Sequence, residues 1–296
     1  MRVRDYPLAA PLLAAAIWGG MYVVSKWGFS AVPPLALVFL RAALGAVVLL
    51  PVVRATKPAR DFSRRDVRGF AALAVLLAVS LSAQFVGTDA TTAAQGSLVT
   101  VLTPVFTVAL GVAVLGEGFG PRKATGTGLA LVGTALVLAG QYGPGELAGG
   151  AVVGPALLVV AAATFAGYTA FGKRLIREYS ALEAATYATA LAVPLFGAGA
   201  LAEYLLWDAS VARVTWTPAL LAAVGYLGVV STAAAWYLWY KGMERADASA
   251  TAVAFFAQPV VGVALGAALL DESVGPAFLA GGAVMAGGVY LVSTAD

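Results

Sequence analysis

Few residues of this sequence could do chemistry, and their types limit what that chemistry can be. The 296 residues include no cysteine and no histidine, which removes thiolate nucleophiles, imidazole bases and the usual ligands of zinc or haem. Carboxylates are the remaining acid–base groups, and none of them falls in the middle of a long apolar run. Glu183 and Glu203 lie near the two ends of one such run, where we expect them to be solvated. The sequence therefore predicts no catalytic residues, no cofactor and no metal site.

Two prolines interrupt long apolar runs and point to a binding site. Pro104 and Pro259 each stand near the centre of a run and directly follow a polar residue. Proline lacks an N–H and bends a helix, so it frees the carbonyls of Thr100 and Phe255. In lipid a freed carbonyl needs a partner, which water or a substrate in a cavity can supply. We interpret both prolines as hinges beside a cavity; the alternative is a packing kink whose carbonyls bind neighbouring hydroxyl groups.

Aromatic and polar side chains at similar depth are the candidates for lining that cavity. An aromatic ring with a polar tip offers apolar area and a hydrogen bond, and a ring face can bind a cation; the alternative role is core packing. Trp27, Trp239 and Tyr240 lie at the ends of runs, where an interfacial aromatic belt is the better interpretation. The predicted cavity residues are Trp18, Tyr22, Gln84, Thr100, Thr103, Phe165, Tyr168, Trp236, Phe255 and Gln258.

The elements that must position these residues are membrane-spanning helices. Hydrophobic residues make up 61% of the chain and charged residues 11%, with a mean hydropathy of +0.89, which is far from the balance of a soluble domain. The apolar runs have the length of membrane helices, whereas a barrel would show short alternating segments. They predict an all-α integral membrane protein with ten transmembrane helices: Leu8–Trp27, Pro34–Val53, Val67–Gly87, Thr92–Leu115, Ala124–Gly140, Val152–Phe171, Leu182–Leu206, Pro218–Tyr240, Ala248–Leu270 and Pro276–Val292.

The distribution of basic residues tests that helix count. Cytoplasmic flanks of membrane helices are enriched in Lys and Arg, and with a cytoplasmic N-terminus fifteen of the eighteen basic residues fall on the cytoplasmic side. Lys26 and Arg213 fall outside, and Arg41 falls within a helix. Arg2 and Arg4 precede a full-length run without a convincing cleavage site, so we interpret that run as an uncleaved first helix. Both termini are expected to be cytoplasmic.

The chain is also an internal duplication. Between Pro104 and Pro121, eleven of eighteen positions match the residue 155 positions later. Two copies that share ten helices have five each, and an odd number places the second copy upside down in the membrane. We therefore predict a first five-helix repeat over residues 1–140, an extracytoplasmic linker over 141–151 and an inverted repeat over 152–296. Inverted repeats are typical of secondary transporters, whose substrate sites lie near the midplane between the repeats.

Charges at the helix ends suggest a gate. Lys26 and Glu272 are expected at the outer face, and their repeat counterparts Lys173 and Glu117 at the inner face. Each acid could pair with the lysine of the other repeat, so that an outer and an inner tie close in alternate states. Arg41 lies about two turns from the outer end of its helix, where it snorkels outward or faces a partner. The alternative is that these charges only anchor helix ends.

Glycine-rich faces predict how the helices pack. Close backbone approach drives helix association in lipid, and Gly262 and Gly266 form a GxxxG pair in the ninth helix. The fifth and tenth helices are also rich in glycine. We interpret these glycines as packing faces, and we predict in addition a homodimer through the fifth and tenth helices.

Motifs along the chain share a pattern with a known family: Ile17–Gly20 with Lys26, Pro34 and Arg41; Ala93–Glu117 with Pro104 and Gly126; and Ala235–Tyr240 with Pro259, Glu272 and Gly281. They resemble the EamA-type permeases of the drug/metabolite transporter superfamily, and most of all its amino-acid exporters, including those for aromatic amino acids. The resemblance implies inverted five-helix repeats around a central cavity, lined chiefly by the first, third, fourth, sixth, eighth and ninth helices. It also implies export of metabolites. One departure is Asp271, which stands where the first copy has Gly116 and adds a charge beside the predicted outer gate.

The predicted function is secondary transport by alternating access, with export of small metabolites across the cytoplasmic (inner) membrane of a bacterium. Amino acids, including aromatic or hydrophobic ones, are the leading substrate class, and the expected partners are this small molecule and the lipid bilayer, with no nucleic acid. An exchanger of phosphorylated sugars or nucleotide sugars is the first alternative, although dianions call for several cations at mid-depth and only Arg41 comes near. An intramembrane enzyme would need reactive groups that the sequence lacks. A structural or receptor-like protein would not need two kinked helices.

Overall fold

The computed structural model describes residues 9–115, 120–142, 151–207, 214–243 and 254–294, and within these ranges all regular structure is helical. A 3₁₀ turn, Thr100–Leu102, joins α4 to α5, and a π-helical segment, Tyr226–Ala234, joins α9 to α10. The α-helices in chain order are α1 (Ala9–Gly28), α2 (Pro34–Thr56), α3 (Arg64–Asp89), α4 (Ala93–Val99), α5 (Thr103–Leu115), α6 (Pro121–Gln141), α7 (Val153–Glu178), α8 (Ala181–Trp207), α9 (Pro218–Gly225), α10 (Ala235–Met243), α11 (Ala257–Leu269) and α12 (Pro276–Ser293).

Eight helical segments are long and apolar enough to cross a bilayer, which confirms an all-α protein of the membrane-spanning type. α11 and α12 are apolar but shorter. The ten crossings, the inverted arrangement of the repeats and the cytoplasmic termini stay predictions. The eight segments are Ala9–Gly28, Pro34–Thr56, Arg64–Asp89, Ala93–Leu110, Pro121–Gln141, Val153–Gly172, Ala181–Leu206 and Pro218–Trp239.

Some helices begin at a capping group, several residues away from the start of the apolar run. α3 begins at Arg64, three residues before the predicted start, because Ser63 and Asp66 form a capping box. The Ser63 Oγ accepts from the Asp66 N–H at 3.2 Å, and the Asp66 carboxylate accepts from the Ser63 N–H at 3.2 Å. α11 begins at Ala257 because the helix is interrupted at Phe256. Of the predicted run from Ala248, residues 248–253 lie outside the described residues.

The glycine faces of α6 and α12 pack against each other within the chain. A Cβ on Gly126 would lie 2.7 Å from the Gly288 carbonyl oxygen, and a Cβ on Gly281 would lie 2.7 Å from the Val137 nitrogen. These glycines therefore allow close backbone contact, as association in lipid requires. The predicted homodimer through the same helices would have to use their outer faces, because the glycine faces are already in contact.

The two acids that we expected to be solvated are buried. Glu203 is 7% exposed, and its carboxylate accepts from the N–H groups of Leu35 and Ala36 at 3.1 and 2.9 Å. Glu183 is 0% exposed and forms an ion pair with Arg60 at 2.8 Å, which raises the pKa of the Arg60 guanidinium. The expectation of solvation was wrong because each carboxylate has a specific donor: the N-terminus of α2 in one case and a loop arginine in the other.

Candidate functional site

A central cavity of about 40 Å³ lies where six helices and the 3₁₀ turn meet. α1, α2, α3, α7, α10 and α11 contribute to its wall, together with the start of α5. The volume is enough for a few water molecules. The lining residues are Trp18, Met21, Tyr22, Arg41, Ser80, Leu81, Gln84, Thr100, Thr103, Ala161, Ala162, Phe165, Trp236, Phe255 and Gln258.

One wall of the cavity is a cluster of aromatic rings. The centroid of Trp18 lies 5.2 Å from those of Trp236 and Trp239 and 6.3 Å from that of Phe255. Phe165 lies 5.8 Å from Trp236. Trp239 is only 9% exposed, so its interpretation as part of an interfacial belt was wrong. It packs against Trp18, because α10 turns that side chain toward α1.

A polar network forms another part of the wall and joins the two segments that contain prolines. The hydroxyl groups of Tyr22 and Thr100 are hydrogen-bonded at 2.7 Å. The Gln258 Nε2 donates to Thr100 Oγ1 at 3.0 Å and to the Ser97 carbonyl at 3.3 Å. All these side chains are buried. The first helix, the 3₁₀ turn and α11 are therefore tied together at the cavity.

The carbonyl that Pro104 frees has a local partner. The Thr100 carbonyl accepts from the Thr103 Oγ1 at 2.8 Å, and the Thr103 N–H donates to it as well. A neighbouring hydroxyl thus binds the freed carbonyl, and the role of Pro104 as a hinge stays a prediction. The chain accommodates the proline by tightening into the 3₁₀ turn, which places the Thr100 and Thr103 side chains on the cavity.

Arg41 contributes the cationic group of the cavity wall. Its side chain is 1% exposed, with its guanidinium 5.3 Å from the centroid of the Phe85 ring. The Nε donates to Thr232 Oγ1 at 3.1 Å and the Nη2 to Ser231 Oγ at 3.3 Å, while Nη1 contacts the Met21 sulfur. Among the described residues, no carboxylate lies within ion-pair distance of it.

The π-helical segment positions both Arg41 and Trp18, and no residue pattern along the chain predicts it. Its residues Ser231 and Thr232 bind Arg41, and the Ser231 carbonyl accepts from the Trp18 Nε1 at 3.0 Å. The segment approaches α2 closely, since a Cβ on Gly45 would lie 2.5 Å from the Thr232 Cγ2. π-helical turns are rare and occur often at functional sites. Here the extra residue in the turn brings the hydroxyls of Ser231 and Thr232 to one guanidinium.

The structure brings together nine of the ten predicted cavity residues. The tenth, Tyr168, stands behind the wall, where its ring stacks on Phe165 at 5.8 Å. The lining residues that sequence reasoning missed are Met21, Ser80, Leu81, Ala161 and Ala162, and Arg41 was assigned to the gate instead. Each of the five missed residues is three or four positions from a predicted one in the same helix, so helical spacing could have found them.

The outer gate residues do not pair with each other as predicted. The Lys26 Nζ donates to the carbonyls of Asp89 and Thr91, both at 2.6 Å. The Glu272 carboxylate accepts from the N–H groups of Ala93 and Ala94, at 2.6 and 2.9 Å. We call this arrangement of Lys26, Glu272 and the backbone of residues 89–94 the outer tie. It holds the connection between α3 and α4 from both sides.

The predicted inner gate lies outside what can be described. Glu117 lies outside the described residues, and so does the side chain of Lys173. Within the described ranges, no three acidic side chains are grouped closely enough to hold a metal ion. The expectation that the protein works without a cofactor stays a prediction.

Comparison with known proteins places this architecture among transporters. The model of the EamA-like transporter family matches residues 7–139 and again residues 152–294. An uncharacterized transporter of Archaeoglobus fulgidus is 28% identical over 289 residues, covering 95% of each chain. A probable terminal-alkyne amino-acid exporter of Streptantibioticus cattleyicolor is 29% identical over 205 residues, 68% of this chain and 64% of that one. One crystal structure, with 20% identity and a TM-score of 0.65 over 97% of this chain and 96% of its own, shares the fold.

Proposed function

Since this chain belongs to the EamA-like transporter family, we propose that it is a secondary transporter that exports amino acids, including aromatic or hydrophobic ones. The observation that carries the proposal is the lining of the central cavity, which combines aromatic rings with one guanidinium, amides and hydroxyls. Such a lining suits a ligand with an apolar body and a small polar head. The similarity to the probable terminal-alkyne amino-acid exporter of Streptantibioticus cattleyicolor supports the same substrate class.

We propose alternating access between two inverted repeats, residues 1–140 and 152–296, joined by the extracytoplasmic segment 141–151. The distribution of basic residues supports this arrangement, as does the match of one family model to each half. A cavity of about 40 Å³ is too small for an amino acid, so the repeats must move apart to admit one. Rocking of one repeat against the other around a central site provides this movement, with Pro104 and Pro259 as hinges.

The proposed location is the cytoplasmic membrane of a bacterium, with both termini in the cytoplasm. The protein works in the bilayer with a small-molecule substrate and without nucleic acid. A homodimer through α6 and α12 would be built from their outer faces, where Gly128 and Gly287 have no atom within 4 Å of an added Cβ. The mass of the protein in lipid nanodiscs tests the dimer, which a monomer mass would contradict.

Exchange of phosphorylated sugars or nucleotide sugars is less well supported by the cavity. Phosphate dianions are usually bound by several Arg or Lys side chains, whereas Arg41 is the one cation among the described lining residues. Relatives that are named as transporters favour transport over an intramembrane enzyme.

Flux in proteoliposomes tests the proposed function. Purified protein is reconstituted, and uptake of labelled amino acids is measured with and without a pH gradient, beside protein-free liposomes. We expect aromatic or hydrophobic amino acids to move faster than in the protein-free control. Transport of a phosphorylated sugar without transport of any amino acid would show that the leading substrate class is wrong. The dependence on the pH gradient identifies or excludes proton coupling.

A further inference from the structure

We propose that the guanidinium of Arg41 binds the carboxylate of the substrate, and that the cavity accepts monocarboxylates with or without an amino group. The inference rests on the proposed transport function and specifies which part of the substrate the cavity recognises. It follows from three observations: the partners of Arg41, its place in the cavity wall and the absence of acids among the described residues of that wall.

Within the described part of the chain, the partners of Arg41 leave its charge without a counter-ion. Its acceptors are the hydroxyls of Ser231 and Thr232 and the sulfur of Met21, and all three are neutral. A guanidinium has five N–H donors and stays protonated in proteins, so donors remain for another partner. A buried charge is costly unless an anion pairs with it. Among the described residues no Asp or Glu lies within 4.0 Å of Arg41.

The position of Arg41 places its guanidinium at the cavity. The side chain is 1% exposed and belongs to the cavity wall. Thr232 and Ser231 fix it from the π-helical segment, while Phe85 packs against the guanidinium at 5.3 Å. A guanidinium held in one orientation matches a carboxylate with two parallel hydrogen bonds. Arg41 lines the cavity, so the cavity provides space for such an anion beside the guanidinium.

The cavity has weaker binding partners for an ammonium group than for a carboxylate. No Asp or Glu is found among the described lining residues. The groups that could face an amino group are aromatic rings such as Trp18 and Trp236, together with neutral oxygens. Cation–π contacts contribute less than a buried ion pair. Loss of the amino group should therefore cost little binding, and loss of the carboxylate charge should cost much.

Three ligands on the unaltered protein separate these contributions. L-Phenylalanine has both groups, L-3-phenyllactate replaces the amino group by a hydroxyl, and L-phenylalaninamide lacks the carboxylate. Their affinities are measured by isothermal titration calorimetry on the full chain in lipid nanodiscs. We expect phenyllactate to bind within about tenfold of phenylalanine, and phenylalaninamide to bind roughly ten- to a hundredfold more weakly.

Variants then assign the effect to one residue. Arg41→Gln should remove the preference for phenylalanine over its amide, and Arg41→Lys should keep part of it, because a lysine retains the charge without the paired donors. Arg54→Gln is the matched control, since Arg54 is an exposed residue near the end of the same helix, and it should leave all three affinities unchanged. Thermal unfolding of each variant identifies loss of folding.

The outcomes distinguish this inference from the proposed function. If the amide binds the unaltered protein as tightly as phenylalanine, the role of Arg41 is overturned, whatever the variants do. If phenylalanine binds and phenyllactate does not, the cavity requires an amino group and the second half of the inference is wrong. If no ligand binds and no amino acid is transported in proteoliposomes, the proposed function itself fails.

Discussion

Gln258 forms hydrogen bonds that join the two proline-containing segments. Its amide donates to Thr100 and Ser97, so its hydrogen bonds are made within the protein. The sequence allows two roles for Gln258, which are contact with a substrate in the cavity and packing against its neighbours. In this structure Gln258 binds its neighbours and also lines the cavity. A substrate that reached its amide would compete with Thr100 for the same hydrogen bond.

A double-mutant cycle measures this contact. Gln258→Met and Thr100→Val each remove one partner of the 3.0 Å hydrogen bond, so the two changes should destabilise the protein less together than the sum of their separate effects. We expect a coupling free energy of about 0.6 kcal/mol, as for other hydrogen bonds between membrane helices. The measurement is the free energy of unfolding in mixed micelles.

The control pairs Gln258→Met with Thr186→Val. The Thr186 hydroxyl donates to the Leu182 carbonyl of its own helix at 2.7 Å, and no contact between Thr186 and Gln258 is present among the described hydrogen bonds. The effects of this pair should add. Equal coupling in both pairs would mean that the Gln258–Thr100 bond contributes nothing specific.

At the scale of the elements, the sequence predicted which runs are helical better than it predicted their irregularities. Hydropathy and two prolines led to the cavity, and nine of its predicted residues line it. The break at Thr100–Leu102 follows from Pro104. The π-helical segment, by contrast, contains no proline and is as apolar as the helix around it, so no local signal separates it from an α-helix. Its geometry depends on contacts with α1 and α2, which only the folded chain supplies.

The orientation of the elements can be tested because the chain has no cysteine. Asp61 and Thr215 are both exposed and lie in the second connections of the first and second repeat. If the repeats are inverted, these connections are on opposite sides of the membrane. We expect Thr215→Cys to react with a membrane-impermeant maleimide in intact cells, and Asp61→Cys to react only after permeabilisation. Reaction of both residues from the same side would contradict the inversion.

At the scale of the whole molecule, carboxylates of the second half hold helix N-termini of the first. Glu272 binds the start of α4 in the outer tie, and Glu203 binds the start of α2. The N–H groups at a helix N-terminus carry partial positive charge, which favours a carboxylate there. Within the outer tie, Lys26 has the complementary role, because it binds carbonyls at the end of α3, where the partial charge is negative. We therefore propose that the outer tie closes the outer side, through the connection between α3 and α4 and without a direct ion pair.

Weakening the outer tie should open the cavity to the outside. Glu272→Gln removes the negative charge but keeps the shape of the side chain. The charge at a helix terminus is worth about 0.3 to 2 kcal/mol, so we expect the population open to the outside to rise by roughly two- to thirtyfold. The reporter is Ser80→Cys in the cavity wall, labelled from outside by an impermeant maleimide.

Glu203→Gln is the matched control for this experiment, because it removes the same charge from the same kind of contact between α8 and α2. In our proposal the outer side is closed by the connection between α3 and α4, so only Glu272→Gln should speed the labelling of Ser80→Cys. Equal acceleration by both variants would indicate general loosening of the helices. Unchanged labelling in Glu272→Gln would show that the outer tie does not limit access, and the closing contact would then have to lie deeper, in the network that joins Tyr22, Thr100 and Gln258.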